Sequence, residues 1–291
     1  MPTDPAPSSE HLEGVGYLFG YPIAHSMSPL MHQTIFNSRG WNWSQLFLES
    51  RDLSLFIRLM DDPRFFGASV TMPHKLAILP HLDQLTPEAE AVGACNTIFV
   101  RKDGSKRMRI GTNTDVIGIR EAFYQNVSNP DEVFHGRPGL VCDKVYLVNR
   151  DKAEVDAVIS WCAAHGYGDG LVHVETAEQA ESLEGPGAIV SCIPDFAPVT
   201  EVEKEARRAL KAFLTKAHKG AILEVNGLSS GPWTTIAEIS QQAGWKVILG
   251  TEAMIYQGLE QSRHWTQQDV SNDEVKKVKE AIAQQLSKSH L

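Results

Sequence analysis

The sequence is poor in cysteine and short of positive charge. Its four cysteines, Cys95, Cys142, Cys162 and Cys192, lie far apart and none forms a C-x-x-C pair. Neither a sequence-local metal site nor a disulfide framework is therefore expected. Lys and Arg number 27 against 36 Asp and Glu, a net charge of −9, which repels phosphate backbones and anionic lipid. Nucleic acid is excluded as an expected partner. Apolar runs of about 18 residues, the length that spans a bilayer, are missing, and so is any reason to expect a membrane. Met1 to Glu10 carries Pro, Ser and acid without an apolar stretch, so it does not read as a signal peptide. Reduced thiols and a cytoplasmic location follow as expectations.

What remains is ordinary globular composition, 42% hydrophobic and 22% charged over 291 residues, enough for two domains of common size. Residues 1–12 read as a disordered leader. Beyond them short apolar runs alternate with helical patterns. Val15–Gly20, Gln45–Glu49 and Gly67–Thr71 read as strands, with helices near Leu30–Arg39 and Leu53–Met60. Pro73 stands where a helix could begin, because its missing N–H costs nothing there. Thr97–Arg101 and Met108–Gly111 flank Asp103-Gly104 as a hairpin, and a helix over Val116–Gln125 follows. Asn126 to Gly139 reads as a linker. The pattern then restarts with strands at Lys144–Val148, Leu171–Val174, Ala188–Ile193, Ala221–Val225 and Lys246–Leu249. Between them lie helices at Lys152–Ala164, Glu201–Leu214 and Thr234–Ala243, and two more close the chain, Glu252–Trp265 and Asp273–Leu286. The alternation predicts an α/β fold with a largely parallel sheet. It divides into a first α/β domain over 13–125, a second over 126–250, and C-terminal helices over 251–291.

Three polar clusters fall at ends of first-half strands, where parallel α/β sheets place ligands. In His25-Ser26-Met27-Ser28-Pro29 the two hydroxyls could donate together to a carboxylate, or Ser28 could cap the helix that follows. In Ser69 to Lys75, a lysine in the first turn of a helix faces the positive end of the macrodipole, which favours release of its proton; an ordinary exposed lysine is the alternative. Gly93-Ala-Cys-Asn96-Thr97 and Gly111-Thr-Asn113-Thr114-Asp115 read either as ligand contacts or as turn chemistry.

Taken together, Gly-x-Pro-Ile-x-His-Ser-x-Ser-Pro (Gly20 to Pro29), Val-Thr-x-Pro-x-Lys (Val70 to Lys75), Gly-Ala-x-Asn-Thr (Gly93 to Thr97) and Asn-Thr-Asp (Asn113 to Asp115) resemble, in this order, the shikimate/quinate dehydrogenase family. Lys144 to Asp151 and Thr251 to Gln257 are most similar to its fungal quinate-type branch. The resemblance implies that Lys75 exchanges a proton with the reacting hydroxyl or ketone beside Asp115. It also implies that Ser26 and Ser28 bind the substrate carboxylate, and that Thr71, Asn96 and Gln257 hold ring hydroxyls of shikimate or quinate. Hydride passes to or from NAD or NADP in this family, without a metal. Asn149, Arg150 and Asp151 correspond to the adenosine-ribose contacts and Gly250 to a position beside the nicotinamide; Asp151 leans the expectation toward NAD.

The resemblance implies a substrate-binding catalytic domain over 13–125 and a Rossmann-like dinucleotide-binding domain over 126–250, the latter truncated by its first strand–loop–helix unit. In the family the dinucleotide unit follows a Pro-Gly-Leu-Val segment, here Pro138 to Val141, but only Cys142 and Asp143 precede the next strand at Lys144. A parallel crossover needs at least about 10–12 residues, so the Gly-rich loop and its helix are missing. Gly166 to Gly170 lies after a helix, as a C-cap does, and Gly227 to Gly231 occupies the place of a substrate-contacting Tyr, which becomes Gly227. Two expectations follow: a shikimate/quinate dehydrogenase with impaired dinucleotide binding, or an inactive ligand-binding or regulatory relative that holds shikimate or quinate alone.

Overall fold

The structure is a computed structural model that describes residues 7–129, 144–167, 170–228 and 233–289. The chain divides into two compact units, Met1–Ile119 with Glu252–Leu291, and Arg120–Thr251. The C-terminal helices, set apart by sequence, thus belong to the first unit.

That unit is built on six strands, β1 (Gly14–Gly20), β2 (Trp43–Glu49), β3 (Phe65–Val70), β4 (Gln84–Leu85), β5 (Thr97–Asp103) and β6 (Lys106–Thr112), in the order β2-β1-β3-β5-β6-β4. Strands β1, β2 and β3 pair in parallel, whereas β5 runs antiparallel to both β3 and β6. The sheet is therefore mixed rather than largely parallel. The reversal comes from the expected hairpin, in which Gly104 takes φ +58° at the first of two turn residues, the glycine position of a type II′ turn. β1 and β3 are buried at every residue, as strands covered on both faces must be. Tyr17, Phe19, Phe56 and Phe65 fill the core beneath them.

Helices α1 (Ser28–Ser38), α2 (Leu53–Leu59), α3 (Pro87–Val92) and α4 (Asp115–Asn126) connect these strands. Two details correct the sequence reading. Ser28 does not cap α1: the cap position is Met27, without a side-chain bond, and Ser28 is the first helical residue. No helix begins at Pro73 either. The segment after β3 is a run of turns, because His74 is drawn into the core, stacked on Phe19 at 4.0 Å with Nε2 bonded to Ser50 O at 3.0 Å. The Lys75 carbonyl, meanwhile, accepts from Cys95 N at 2.9 Å, a partner from another segment that turns it away from the helical direction.

In the second unit β7 (Val145–Leu147) pairs in parallel with β8 (Leu171–His173), and β9 (Ala188–Ser191), β10 (Ala221–Glu224) and β11 (Lys246–Leu249) form a second parallel sheet, order β11-β10-β9. Among the described residues these two sheets are not hydrogen-bonded to each other. Helices α5 (Lys152–Ala164), α6 (Ala177–Ser182), α7 (Glu201–Leu214) and α8 (Thr235–Gln242) cover them. Helix α7, held at its start by a capping box between Thr200 and Glu203, joins both cores. Ala209, Ala212 and Phe213 pack with Tyr146 and Val172, while Leu210 and Leu214 pack with Ile222 and Trp245. The Gly166 turn is a helix C-cap: φ is +81°, and Tyr167 N bonds Cys162 O at 2.8 Å, a Schellman pattern.

Pro138 to Asp143, Gly168, Asp169 and Ser229 to Gly231 lie outside the described residues. α4 ends at Asn126 and β7 opens at Val145.

The chain returns to the first unit through α9 (Gly250–Thr266) and α10 (Asn272–Ser289). Trp265 anchors α9 by donating Nε1–H to Ile98 O at 2.9 Å in β5. Gly67 makes this possible, since a Cβ there would collide with the indole and with Ile98 O.

Candidate active site

The expected reactive pair is formed. Lys75 Nζ donates to Asp115 Oδ2 at 2.6 Å, the two side chains being 28% and 42% exposed. An ion pair so open to solvent contributes only about 0–1 kcal/mol to stability, so its place in the structure calls for a chemical explanation rather than a folding one. Asn96 Nδ2 donates to the other oxygen, Asp115 Oδ1, at 2.8 Å. The Asn-Thr-Asp spacing serves this arrangement directly. Asn113 Nδ2 donates to Ala94 O at 3.0 Å, and its Oδ1 receives Asp115 N–H at 3.1 Å, which ties the start of α4 to the Gly93–Thr97 loop.

Gln257 arrives from α9, where Gly118 of α4 permits close approach: a Cβ at Gly118 would lie 2.5 Å from Ala253 O and 2.7 Å from Gln257 Cβ. Gln257 Oε1 accepts from Thr114 Oγ1 at 3.2 Å, placing the half-buried carboxamide beside Asn96 and Asp115. Thr71 leaves β3 with its N–H on Phe19 O at 2.9 Å and a half-buried side chain.

The serines divide. Ser26 is half-buried and its Oγ accepts Ser28 N–H at 3.3 Å. Ser28 is buried and donates its own proton to Gln45 Oε1 at 2.9 Å. Ser28 is the first residue of α1, so the two serines do not share one extended segment, the arrangement in which hydroxyls at i and i+2 would point the same way. Gln45, His32 and Gln261 carry no motif signal in the sequence, and Ser69 enters only as the first residue of the Ser69 to Lys75 cluster, with no role of its own. The one available signal was Gln261 at i+4 from Gln257, hence on the same helix face.

In the second unit Asn149, Arg150 and Asp151 sit together at the end of β7. Asp151 caps α5, its Oδ1 accepting Ala153 N–H at 2.9 Å and Glu154 N–H at 3.3 Å. Asn149 Oδ1 accepts Asp151 N–H at 2.9 Å. Arg150 is ion-paired with Glu203 and lies over the Phe196 ring. The Glu203 carboxyl is held down at about 2, first by N–H donors of Thr200 and Val199. Gly250 opens α9, where a Cβ would meet Val225 O at 2.6 Å and Glu224 O at 2.8 Å. These groups suit the adenosine end of a dinucleotide. Among the described residues no group of three His, Cys, Asp or Glu could hold a metal, and no helix is long and apolar enough to cross a membrane.

Two α/β units, one with a lysine–carboxylate pair and the other with parallel strands, have the architecture of the NAD(P)-dependent dehydrogenase class. Residues 18–98 match the shikimate dehydrogenase substrate binding domain. The chain is 43% identical to a quinate dehydrogenase of Emericella nidulans, over 96% of this chain and 97% of that protein. It belongs to the shikimate/quinate dehydrogenase family. The alignment runs over 320 residues, longer than the 291 of this chain, so the relative carries residues with no counterpart here. A pentafunctional AROM polypeptide of Saccharomyces cerevisiae is 30% identical over 86% of the chain, which spans 17% of that protein. The fold is shared with quinate dehydrogenase from Corynebacterium glutamicum in complex with NAD, TM-score 0.73 at 20% identity over 94% of this chain and 99% of that one.

Proposed function

We propose that the first unit binds a small cyclic hydroxy acid of the quinate or shikimate class and that Lys75, held by Asp115, exchanges a proton with its reacting oxygen. The observation that carries this reading is the convergence of Lys75, Asp115, Asn96 and Gln257 in one hydrogen-bonded group. A polyhydroxylated acid needs such convergent donors more than an apolar pocket. In the oxidising direction a neutral Lys75 amine takes the hydroxyl proton; in the reducing direction the ammonium returns it to the ketone oxygen. Asp115 fixes Nζ and balances its charge in the protonated state. Ser26 and Ser28 are proposed to meet the carboxylate, for which Ser28 must turn its proton away from Gln45, and Thr71 to meet a ring hydroxyl.

The reading includes weak binding of NAD or NADP. Charge-assisted hydrogen bonds contribute about 1.5–3 kcal/mol each, so loss of two or three at a pyrophosphate costs about 3–9 kcal/mol. Arg150 is committed to Glu203 and is less available to a 2′-phosphate, which supports NAD over NADP. A second reading, a binding protein that takes the acid without turning it over, is favoured by the two sheets of the second unit, which among the described residues are not hydrogen-bonded to each other.

Calorimetric titration of the folded chain with quinate and with shikimate tests the proposal. Heat is expected with at least one acid, and Lys75→Ala should abolish turnover while changing affinity by less than about tenfold, a difference of 1.4 kcal/mol. Absence of heat with both acids would overturn the assignment. Binding without turnover at saturating NAD and NADP would select the second reading.

A further inference from the structure

The buried polar residues behind the site form one directed chain. Ser28 Oγ donates to Gln45 Oε1 (2.9 Å), Gln45 Nε2 to Ser69 Oγ (2.8 Å), and Ser69 Oγ to Gln261 Oε1 (2.8 Å). Gln261 Nε2 then donates to Thr97 Oγ1 (2.9 Å), Thr97 Oγ1 to Asn96 Oδ1 (2.7 Å), and Asn96 Nδ2 to Asp115 Oδ1 (2.8 Å). Gln261 is 1% exposed and makes two further bonds: His32 Nε2 meets its Oε1 at 3.1 Å, and its Nε2 reaches Gln257 Oε1 at 2.9 Å.

The direction of this chain is set by a backbone group. Thr114 N–H donates to Asn96 Oδ1 at 2.8 Å, so that atom must be the carbonyl oxygen. Thr97 has a single hydroxyl proton, and at 2.7 Å from an oxygen with no proton it must donate there. Gln261 then has to turn its NH2 toward Thr97. The same NH2 faces Gln257 at 2.9 Å, the shortest of three approaches to that oxygen beside Thr114 Oγ1 at 3.2 Å and Asn96 Nδ2 at 3.5 Å, so Gln257 must answer with Oε1 and direct its own NH2 elsewhere. One of those two N–H groups meets Met254 O at 3.2 Å.

We propose that Gln261 is a positioning residue for the ligand site: it relays the polarity fixed by Thr114 N–H to Gln257, so that Gln257 presents an N–H donor, not a carbonyl, to the ligand. This rests on the hydroxy-acid reading above. Its consequence for specificity is that Gln257 recognises the lone pairs of a hydroxyl or ketone oxygen and discriminates against a donor-only group such as an ammonium at that ring position.

The test is a double-mutant cycle read by calorimetry with quinate and shikimate on Gln261→Met, Gln257→Ala and the pair. Each single variant should lose about tenfold in affinity, the scale of one hydrogen bond. The pair should lose no more than Gln257→Ala alone, the result required of a residue whose effect on the ligand passes through Gln257 rather than through Thr97 or Ser69. A purely structural role would instead multiply the two losses, and that result, or wild-type affinity in Gln261→Met, would overturn the inference. If Gln261→Met lacks a cooperative thermal transition, Gln261→Glu keeps the side-chain shape while its carboxylate cannot donate to Gln257, and the same outcomes apply. No heat from the parent chain would overturn the hydroxy-acid reading and this inference with it; binding by the parent with multiplicative losses removes the inference alone.

Discussion

His32 shows how little a titratable side chain reveals until its neighbours are known. It is fully buried between Phe36 and Trp265, with Ser262 Oγ at 2.8 Å from Nδ1 and Gln261 Oε1 at 3.1 Å from Nε2. A carboxamide oxygen can only accept, so Nε2 carries the proton and the ring is neutral. Burial pushes its pKa from 6.5 down to about 3, against a smaller opposing effect of the Gln261 bond. The unfolded chain protonates this residue below about pH 6.5 and the folded chain only near 3. Its contribution is therefore complete above pH 6.5 and declines as pH falls toward 3, by at most about 1.4 kcal/mol per unit. Nitrogen-detected NMR should show a neutral Nε2–H imidazole at His32 with no titration between pH 8 and 5. A protonated ring at pH 6 would contradict the burial argument.

At the level of elements, the contact between α4 and α9 carries the most consequence, because it sets where Gln257 stands. Gly118→Ala inserts a methyl group 2.5 Å from Ala253 O, a backbone atom that can yield only if the helix moves. Overpacking of this kind costs about 1–3 kcal/mol, against a gain in helix propensity of at most about 1 kcal/mol. The thermal midpoint should fall and affinity for the acid should fall with it; an unchanged midpoint would show that the helices slide apart freely. Elements with strong local signals were legible in sequence. Helices α5 and α7 have the expected bounds because Asp151 and the Thr200–Glu203 box start them. The two-residue strand β4 and the six-residue helices α3 and α6 are too short to show a period, and none was expected. Around Lys75 the local pattern points to a helix where the structure has turns, because the group that draws the Lys75 carbonyl aside, Cys95 N, comes from a residue twenty positions on. Lys75, Asp115, Asn96 and Gln257 were legible as motif residues, whereas Gln45 and Ser69 gain meaning only when β1, β2 and β3 align side by side.

For the whole molecule the decisive quantity is how much of a nucleotide domain the second unit retains. Titration with NAD and NADP should give affinity at least about a hundredfold below that of a relative with the full unit, the lower end of the 3–9 kcal/mol loss. Tight binding would mean that another segment serves the phosphates, and Gly227 to Gly231 is where substitutions should be tried first. The division of the chain also imposes a timetable on biosynthesis. The first unit is interrupted after Ile119 and resumes at Glu252, so a ribosome adding about 5–20 residues per second needs roughly 7–26 s to cross the interval. Throughout that delay β3 and β5 lack the indole of Trp265, and Asn96 lacks Gln257. The half that is translated first is thus the half that waits, its apolar sheet face open to chaperones until the last helices emerge.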